Sequence, residues 1–225
     1  MTSSNQPKLF AIFAFRYDAQ LLPDLIQNLS FVDVFIIHDD LKNDKKWYHE
    51  GKLRTSLIEK ARRAGADWVI CVDPDERFED SAAKKIRKLI QTNEKIIYGF
   101  PFRELWTKDA YRIDGVWGKK RKFILFPLKD GQDFDNMPVH SNWNPINDDY
   151  QQVMTKINLY HLKNIDPKNR TARAKLYSEL DPERKFQKIG YDYLADEDGL
   201  ILKKVGLMHK YSPQYSDSYH IRQHD

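Results

Sequence analysis

The sequence predicts an α/β fold: a Rossmann-like, mostly parallel sheet flanked by helices, then a smaller mixed region and a C-terminal helical extension. Three observations carry that prediction. Apolar runs of strand length alternate with stretches of helical period through the first hundred residues. Each of the first three apolar runs ends on a charged turn. The alternation then gives way to mixed aromatic and charged sequence, followed by two Asp-Pro pairs.

Leu9–Phe15 is apolar throughout, as a strand buried on both faces must be. Leu22, Leu25, Ile26 and Leu29 follow at helical spacing. Phe31–Ile37 reads as a second buried strand. Leu53, Leu57, Ile58 and Ala61 mark a second helix that ends near Gly65. Trp68–Val72 is a third strand, and Ala82, Ile86, Leu89 and Ile90 give a third helix capped by Asp80 or Ser81. Lys95–Phe102 reads as a fourth strand. Beyond it, Lys122–Phe126 and Val153–Leu162 read as strands without clear helices between them. Asp166-Pro167 and Asp181-Pro182 each place a capping residue before a proline at the first helical position, which predicts two short helices, the second stopped at Gly190. The expected organisation is residues 1–100 as one half of a domain, 101–165 as its other half, and 166–225 as the extension.

Composition narrows the class. With 225 residues, 41% hydrophobic and 13% aromatic, the chain can bury a sizeable core. Mean hydropathy of −0.71 and 31% charged residues imply a heavily solvated surface. The net charge of +4 permits a phosphate-bearing partner without demanding one. A single cysteine, Cys71, excludes a disulfide scaffold and a cysteine-based zinc cage, and the seven histidines show no zinc spacing. No apolar run approaches the roughly 20 residues that span a bilayer, and the first residues lack the pattern of a signal peptide. A cytoplasmic protein, peripheral at a membrane at most, is the expectation.

Parallel sheets bind ligands at the carboxyl ends of their strands. There the sequence places Phe15-Arg16-Tyr17-Asp18, His38-Asp39-Asp40 and Asp73-Pro74-Asp75-Glu76. In an extended backbone Asp73 and Asp75 point to one side, with Pro74 stiffening the link. Two convergent carboxylates suit a hard divalent cation, Mn²⁺ or Mg²⁺, with room left for phosphate oxygens. The plainer alternative is that these acids sit near a helix N-terminus. The basic groups Lys119-Lys120-Arg121-Lys122 and Lys168/Arg170/Arg173/Lys175 read as solvated faces in preference to phosphate contacts. Trp106, Trp117, Trp143 and Tyr191-Asp192-Tyr193 are aromatic platforms for sugar rings or core packing.

The order and spacing of these turns resemble those of the family-2 glycosyltransferases of the GT-A fold. Phe15-Arg16-Tyr17-Asp18 is similar to that family's first-strand turn. Asp39-Asp40-Leu41-Lys42-Asn43-Asp44 resembles its nucleotide turn, and Ala64–Trp68 through Asp73-Pro74-Asp75-Glu76 resembles its Asp-x-Asp metal motif with a following Glu. The resemblance covers roughly residues 8–80.

The resemblance implies sugar transfer from a nucleoside-diphosphate sugar to a glycan, lipid-linked or protein acceptor, with a divalent metal and inversion of the anomeric centre. By that analogy Phe15, Arg16, Asp18, Asp39, Asp40, Arg54 and Asp73 contact the nucleotide sugar, while Asp73, Asp75 and His161 hold the metal. A base must deprotonate the acceptor. Glu104 is the first candidate and His140 the second, although Ser141 stands where the family's His-Glu pair has its acid. Two rival readings remain. One is a nucleic-acid-binding module, suggested by pI 8.9 and the two capped helices. The other is a GT-A-like protein that binds its ligand without catalysis.

Overall fold

The computed structural model describes residues 6–16, 18–40, 49–137, 141–185 and 187–216. The order of elements in the first half follows the apolar pattern: β1 (Leu9–Phe15), α1 (Leu22–Asn28), β2 (Val34–Asp39), α2 (Glu50–Arg63), β3 (Trp68–Cys71), β4 (Glu76–Phe78) and α3 (Ala82–Leu89). The second half holds β5 (Ile96–Thr107), β6 (Ala110–Arg112), β7 (Arg121–Pro127), β8 (Gln151–Met154), β9 (Leu159–His161), α4 (Pro167–Leu180) and β10 (Leu202–Lys204). Among the described residues no helix is long and apolar enough to cross a membrane.

The result is a mixed α/β fold. Its central path runs β10-β6-β5-β7-β3-β1-β2. β1 pairs in parallel with both β2 and β3, as the alternation predicts. β7 is then inserted antiparallel between β3 and β5. Two successive reversals leave β5 running in the direction of β1 to β3, and β8 and β9 join it in parallel. The main direction is thus common to seven of the described strands, β10 included through its two antiparallel steps from β5, and β7 is the exception that matters for the site.

The core lies where the sequence is most apolar. Leu9–Phe13 and Trp68–Val72 are fully buried, with Leu57, Ile58 and Ala61 of α2 and Ile86 of α3 packed on the sheet. At about 25 cal/mol per Å² of apolar area removed from water, this cluster is the main favourable contribution to folding.

Three expectations are corrected. The second strand begins at Val34 and is not buried on both faces, because β2 is the outermost strand of the parallel set and leaves Val34 and Ile37 exposed. Val153–Leu162 forms two strands, β8 and β9, separated by Thr155–Asn158. Of the two short helices, one forms and is long. Asp166 caps α4 by accepting from the Lys168 N–H at 2.9 Å, with Pro167 in the first turn. Asp181-Pro182 starts no helix. The Asp181 carboxylate instead accepts from the N–H groups of Lys185 (2.6 Å) and Gln187 (3.0 Å) and from the Tyr191 hydroxyl (3.0 Å). It organises a loop in which Arg184 takes the left-handed φ of 53°. Among the described residues the C-terminal extension is therefore one α-helix followed by turns, two single-turn 3₁₀ helices and a short strand, and the paired-helix basis of the nucleic-acid reading is gone.

Candidate active site

β1 and β3 present their C-terminal ends at one edge of the sheet, and β7, running the other way, begins there. That geometry opens a cleft of about 520 Å³. The turn after β1 lines it with Phe15, Arg16 and Asp18, and the turn after β3 with Asp73, Pro74, Asp75 and Glu76. Lys120 and Lys122 at the start of β7 face them. Glu104 of β5, His161 and Lys163 at the end of β9, Arg54 of α2 and Arg173 of α4 complete the charged lining, with Tyr177, Tyr191 and Tyr193 on the C-terminal side.

His161 sits at the centre. β9 lies between β4 and β5, with His161 opposite Glu76 in one ladder and beside Glu104 in the other. Its Nδ1 is 2.5 Å from Glu104 Oε2 and its Nε2 is 3.1 Å from Asp75 Oδ2. Burial alone would favour the neutral ring, but the carboxylates of Glu104 and Asp75 outweigh it and push the imidazole pKa up to about 9. Protonated, the ring donates to both acids; a cation at Nε2 would take the place of the proton shared with Asp75.

Each acid around it has its own cation. Burial works to raise the Glu104 carboxyl, yet Lys120 at 2.6 Å and His161 hold it well below the usual carboxylate range. Asn164 adds a further bond to Glu104 Oε2 at 2.8 Å, and Arg173 in turn holds Asn164. Asp75 is held low by His161 and Lys163 against the same burial. Lys163 stands 3.7 Å from Asp75 and 3.4 Å from Asp18. Lys122 bonds Asp73 at 2.7 Å and also Glu76. Glu76 is the exception: burial, reinforced by Asp73, outweighs Lys122 and pushes its pKa up to about 7.

A divalent cation fits part of this arrangement. Among the described residues no three acid, imidazole or thiol groups converge as a ligand set. Asp75 Oδ2 and His161 Nε2 do converge, and a carboxylate with an imidazole suits Mn²⁺ better than Mg²⁺. Asp18 Oδ1 is also buried without a hydrogen-bond partner. The protein thus offers two ligands, and diphosphate oxygens and water would supply the others. Asp73 is turned to Lys122 instead, at 2.7 Å.

The remaining predicted residues divide. Phe15, Arg16, Asp18, Arg54 and Asp73 line the cleft together. Asp40 is buried 3.8 Å from Arg16 without lining the cleft, whereas Asp39 is exposed at the end of β2. His140 and the Leu41-Lys42-Asn43-Asp44 stretch lie outside the described residues. Trp106, Trp117 and Trp143 are buried in packing, and Tyr191 and Tyr193 are the aromatic residues of that group on the cleft.

Lys120, Lys122 and Arg173, weighed from the sequence as phosphate contacts but read as solvated faces, line the cleft, and Lys163 and Asn164 were not singled out at all. A signal for the first two existed. Lys120 and Lys122 are two apart in extended backbone and so share a face, while Lys119 and Arg121 point to solvent. Arg173 likewise leaves the solvated face of α4 that Lys168 and Lys175 keep.

No family model matches the chain, and no curated protein matches it. Solved structures to which it is similar include a glycosyltransferase involved in the glycosylation of the major capsid of PBCV-1, with 13% identity and a TM-score of 0.31 over 43% of this chain and 52% of that one. Another is S. aureus TarS, with 11% identity and a TM-score of 0.41 over 81% of this chain and 44% of that one. A third is S. aureus TarS 1-349 in complex with UDP, with 12% identity and a TM-score of 0.40 over 84% of this chain and 70% of that one. The chain spans about half the length of the first two.

Proposed function

We propose that the protein is a glycosyltransferase of the family-2 kind, moving a sugar from a nucleoside-diphosphate sugar to an acceptor hydroxyl with Mn²⁺ or Mg²⁺ and inversion at the anomeric carbon. The observation that carries this reading is the convergence of Asp75 and His161 in a cleft that also gathers Arg16, Arg54, Lys122 and Lys163. Carboxylate and imidazole suit a metal, the cations suit phosphate oxygens, and the strand-end position suits a nucleotide.

The chain's own groups divide the work. Arg54 and Lys122 lie near Asp73 and attract the diphosphate, and Lys163 is drawn between Asp18 and Asp75. Asp18 Oδ1, buried and free to accept, takes a ribose or sugar hydroxyl. A cation held by Asp75 and His161 would neutralise charge developing on the leaving diphosphate. Glu104 carries donors on both oxygens and is poorly placed to take an acceptor proton.

Thermal unfolding against a panel of nucleoside diphosphates and nucleotide sugars, each with Mn²⁺, Mg²⁺ or EDTA, tests the reading. A ligand at 100 times its Kd stabilises by about 2.7 kcal/mol. The expected result is a metal-enhanced shift with one nucleotide class. No shift with any nucleotide would remove the reading.

A further inference from the structure

We propose that Glu104 is a positioning residue of this site: it holds the Nδ1–H of His161, so that Nε2 is the nitrogen turned to Asp75 and presented to a divalent cation. The inference rests on the metal-dependent reading above and assigns to Glu104 a different role from that of acceptor base.

A neutral imidazole has two tautomers, and the nitrogen that ligates is decided by the bond the other one makes. Here that bond is built into the sheet. The parallel register of β5 and β9 sets Glu104 directly beside His161, and the Nδ1–Oε2 separation is 2.5 Å. Glu104 has no freedom to turn away. Lys120 holds its Oε1 at 2.6 Å and Asn164 its Oε2 at 2.8 Å, and the residue is 2% exposed. Asn164 is itself fixed by Arg173 at 2.7 Å. The Phe102 ring, 5.0 Å from the imidazole centroid and inclined by 32°, packs against His161 and resists a ring flip. An acceptor base needs a free lone pair facing the substrate, whereas both oxygens of Glu104, though on the cleft, are taken by Lys120, His161 and Asn164. A carboxylate on the outer nitrogen of a ligating histidine is the usual means of orienting it, and its loss typically costs 10–100-fold in metal affinity.

The test uses the full chain and Mn²⁺ alone, with unbound Mn²⁺ followed by electron paramagnetic resonance. Wild type, Glu104→Gln, Glu104→Asp and His161→Ala are compared, with circular dichroism to show that each is folded. Glu104→Asp keeps the charge and answers for the site if the Gln variant fails to fold. The expected result is a 10–100-fold weaker Mn²⁺ affinity for Glu104→Gln, approaching that of His161→Ala, with a smaller loss for Glu104→Asp. Imidazole ¹⁵N resonances recorded with diamagnetic Mg²⁺ are expected to show Nδ1 protonated in wild type and the two nitrogens mixed in Glu104→Gln, a change that a purely structural role would not produce. A folded variant with wild-type Mn²⁺ affinity and tautomer, yet no sugar transfer, would overturn the proposal and return Glu104 to the role of base. Absence of Mn²⁺ binding by wild type would also overturn it. Nucleotide binding in EDTA, measured alongside, then shows whether the transferase reading falls too.

Discussion

Lys122 lies 2.7 Å from the Asp73 carboxylate and bonds Glu76 as well, so one ammonium from an antiparallel strand holds two acids of the turn after β3. Its own pKa is pushed up, because Asp73 and Glu76 outweigh the burial that would lower it. Replacing Lys122 with Met removes the counter-charge of both acids: Glu76, already raised to about 7, takes up a proton, and Asp73 loses its ion pair. Removing one partner of a buried pair costs about 3–5 kcal/mol, and the Lys122 side chain is 20% exposed, so the lower end, about 3 kcal/mol, is expected in urea unfolding. A loss below about 0.5 kcal/mol would mean that the pair does not stabilise the turn.

The same strand shows what the sequence carried and what it did not. β1, β3 and the helices α2 and α3 were legible because burial on one or both faces writes itself into apolar period. Asp166-Pro167 was legible because a cap and a preset φ act locally. The antiparallel entry of β7 was not, since strand direction is decided by pairing partners far away in the chain. Without it Lys120 and Lys122 read as part of a solvated basic run. Asp181-Pro182 carried the same local signature as Asp166-Pro167, and a tertiary competitor won: the Tyr191 hydroxyl and two loop N–H groups take the carboxylate. The acids Asp73 and Asp75 were readable from their spacing, but the cations that neutralise them were not.

Gly118, two residues before Lys120, packs closely against the Ile113 backbone. A Cβ at this position would lie 2.2 Å from the Ile113 carbonyl oxygen, an overlap that only backbone movement relieves. Gly118→Ala is expected to destabilise by about 1–3 kcal/mol, as overpacking does. It should also displace Trp117 and Lys120. Differential scanning calorimetry reads the first effect and nucleotide affinity the second; an unchanged Tm would refute the steric account.

Glu79 makes stability acid-sensitive. Burial would raise its carboxyl, but bonds from Lys85, Ser81, His209 and Asn158 prevail and lower its pKa to about 2, from 4.5. A carboxyl lowered in the folded state contributes stability above its unfolded pKa and loses it as pH falls through the folded one. The loss should fall between about pH 4.5 and 2 and amount to at most about 3 kcal/mol, less because Lys85 and His209 are half exposed and screened. Unfolding free energies of wild type and Glu79→Gln across that window check it. Parallel curves would show that Glu79 is not the titrating group.

Release of nucleoside diphosphate from a panel of nucleotide sugars, measured for wild type and Asp75→Asn with Mn²⁺ present, examines sugar transfer and the role of Asp75 together. Wild type is expected to release it from one donor class, and a folded Asp75→Asn to lose that release by at least about 100-fold (about 2.7 kcal/mol in the barrier). Release at the wild-type rate by Asp75→Asn would contradict the role given to Asp75.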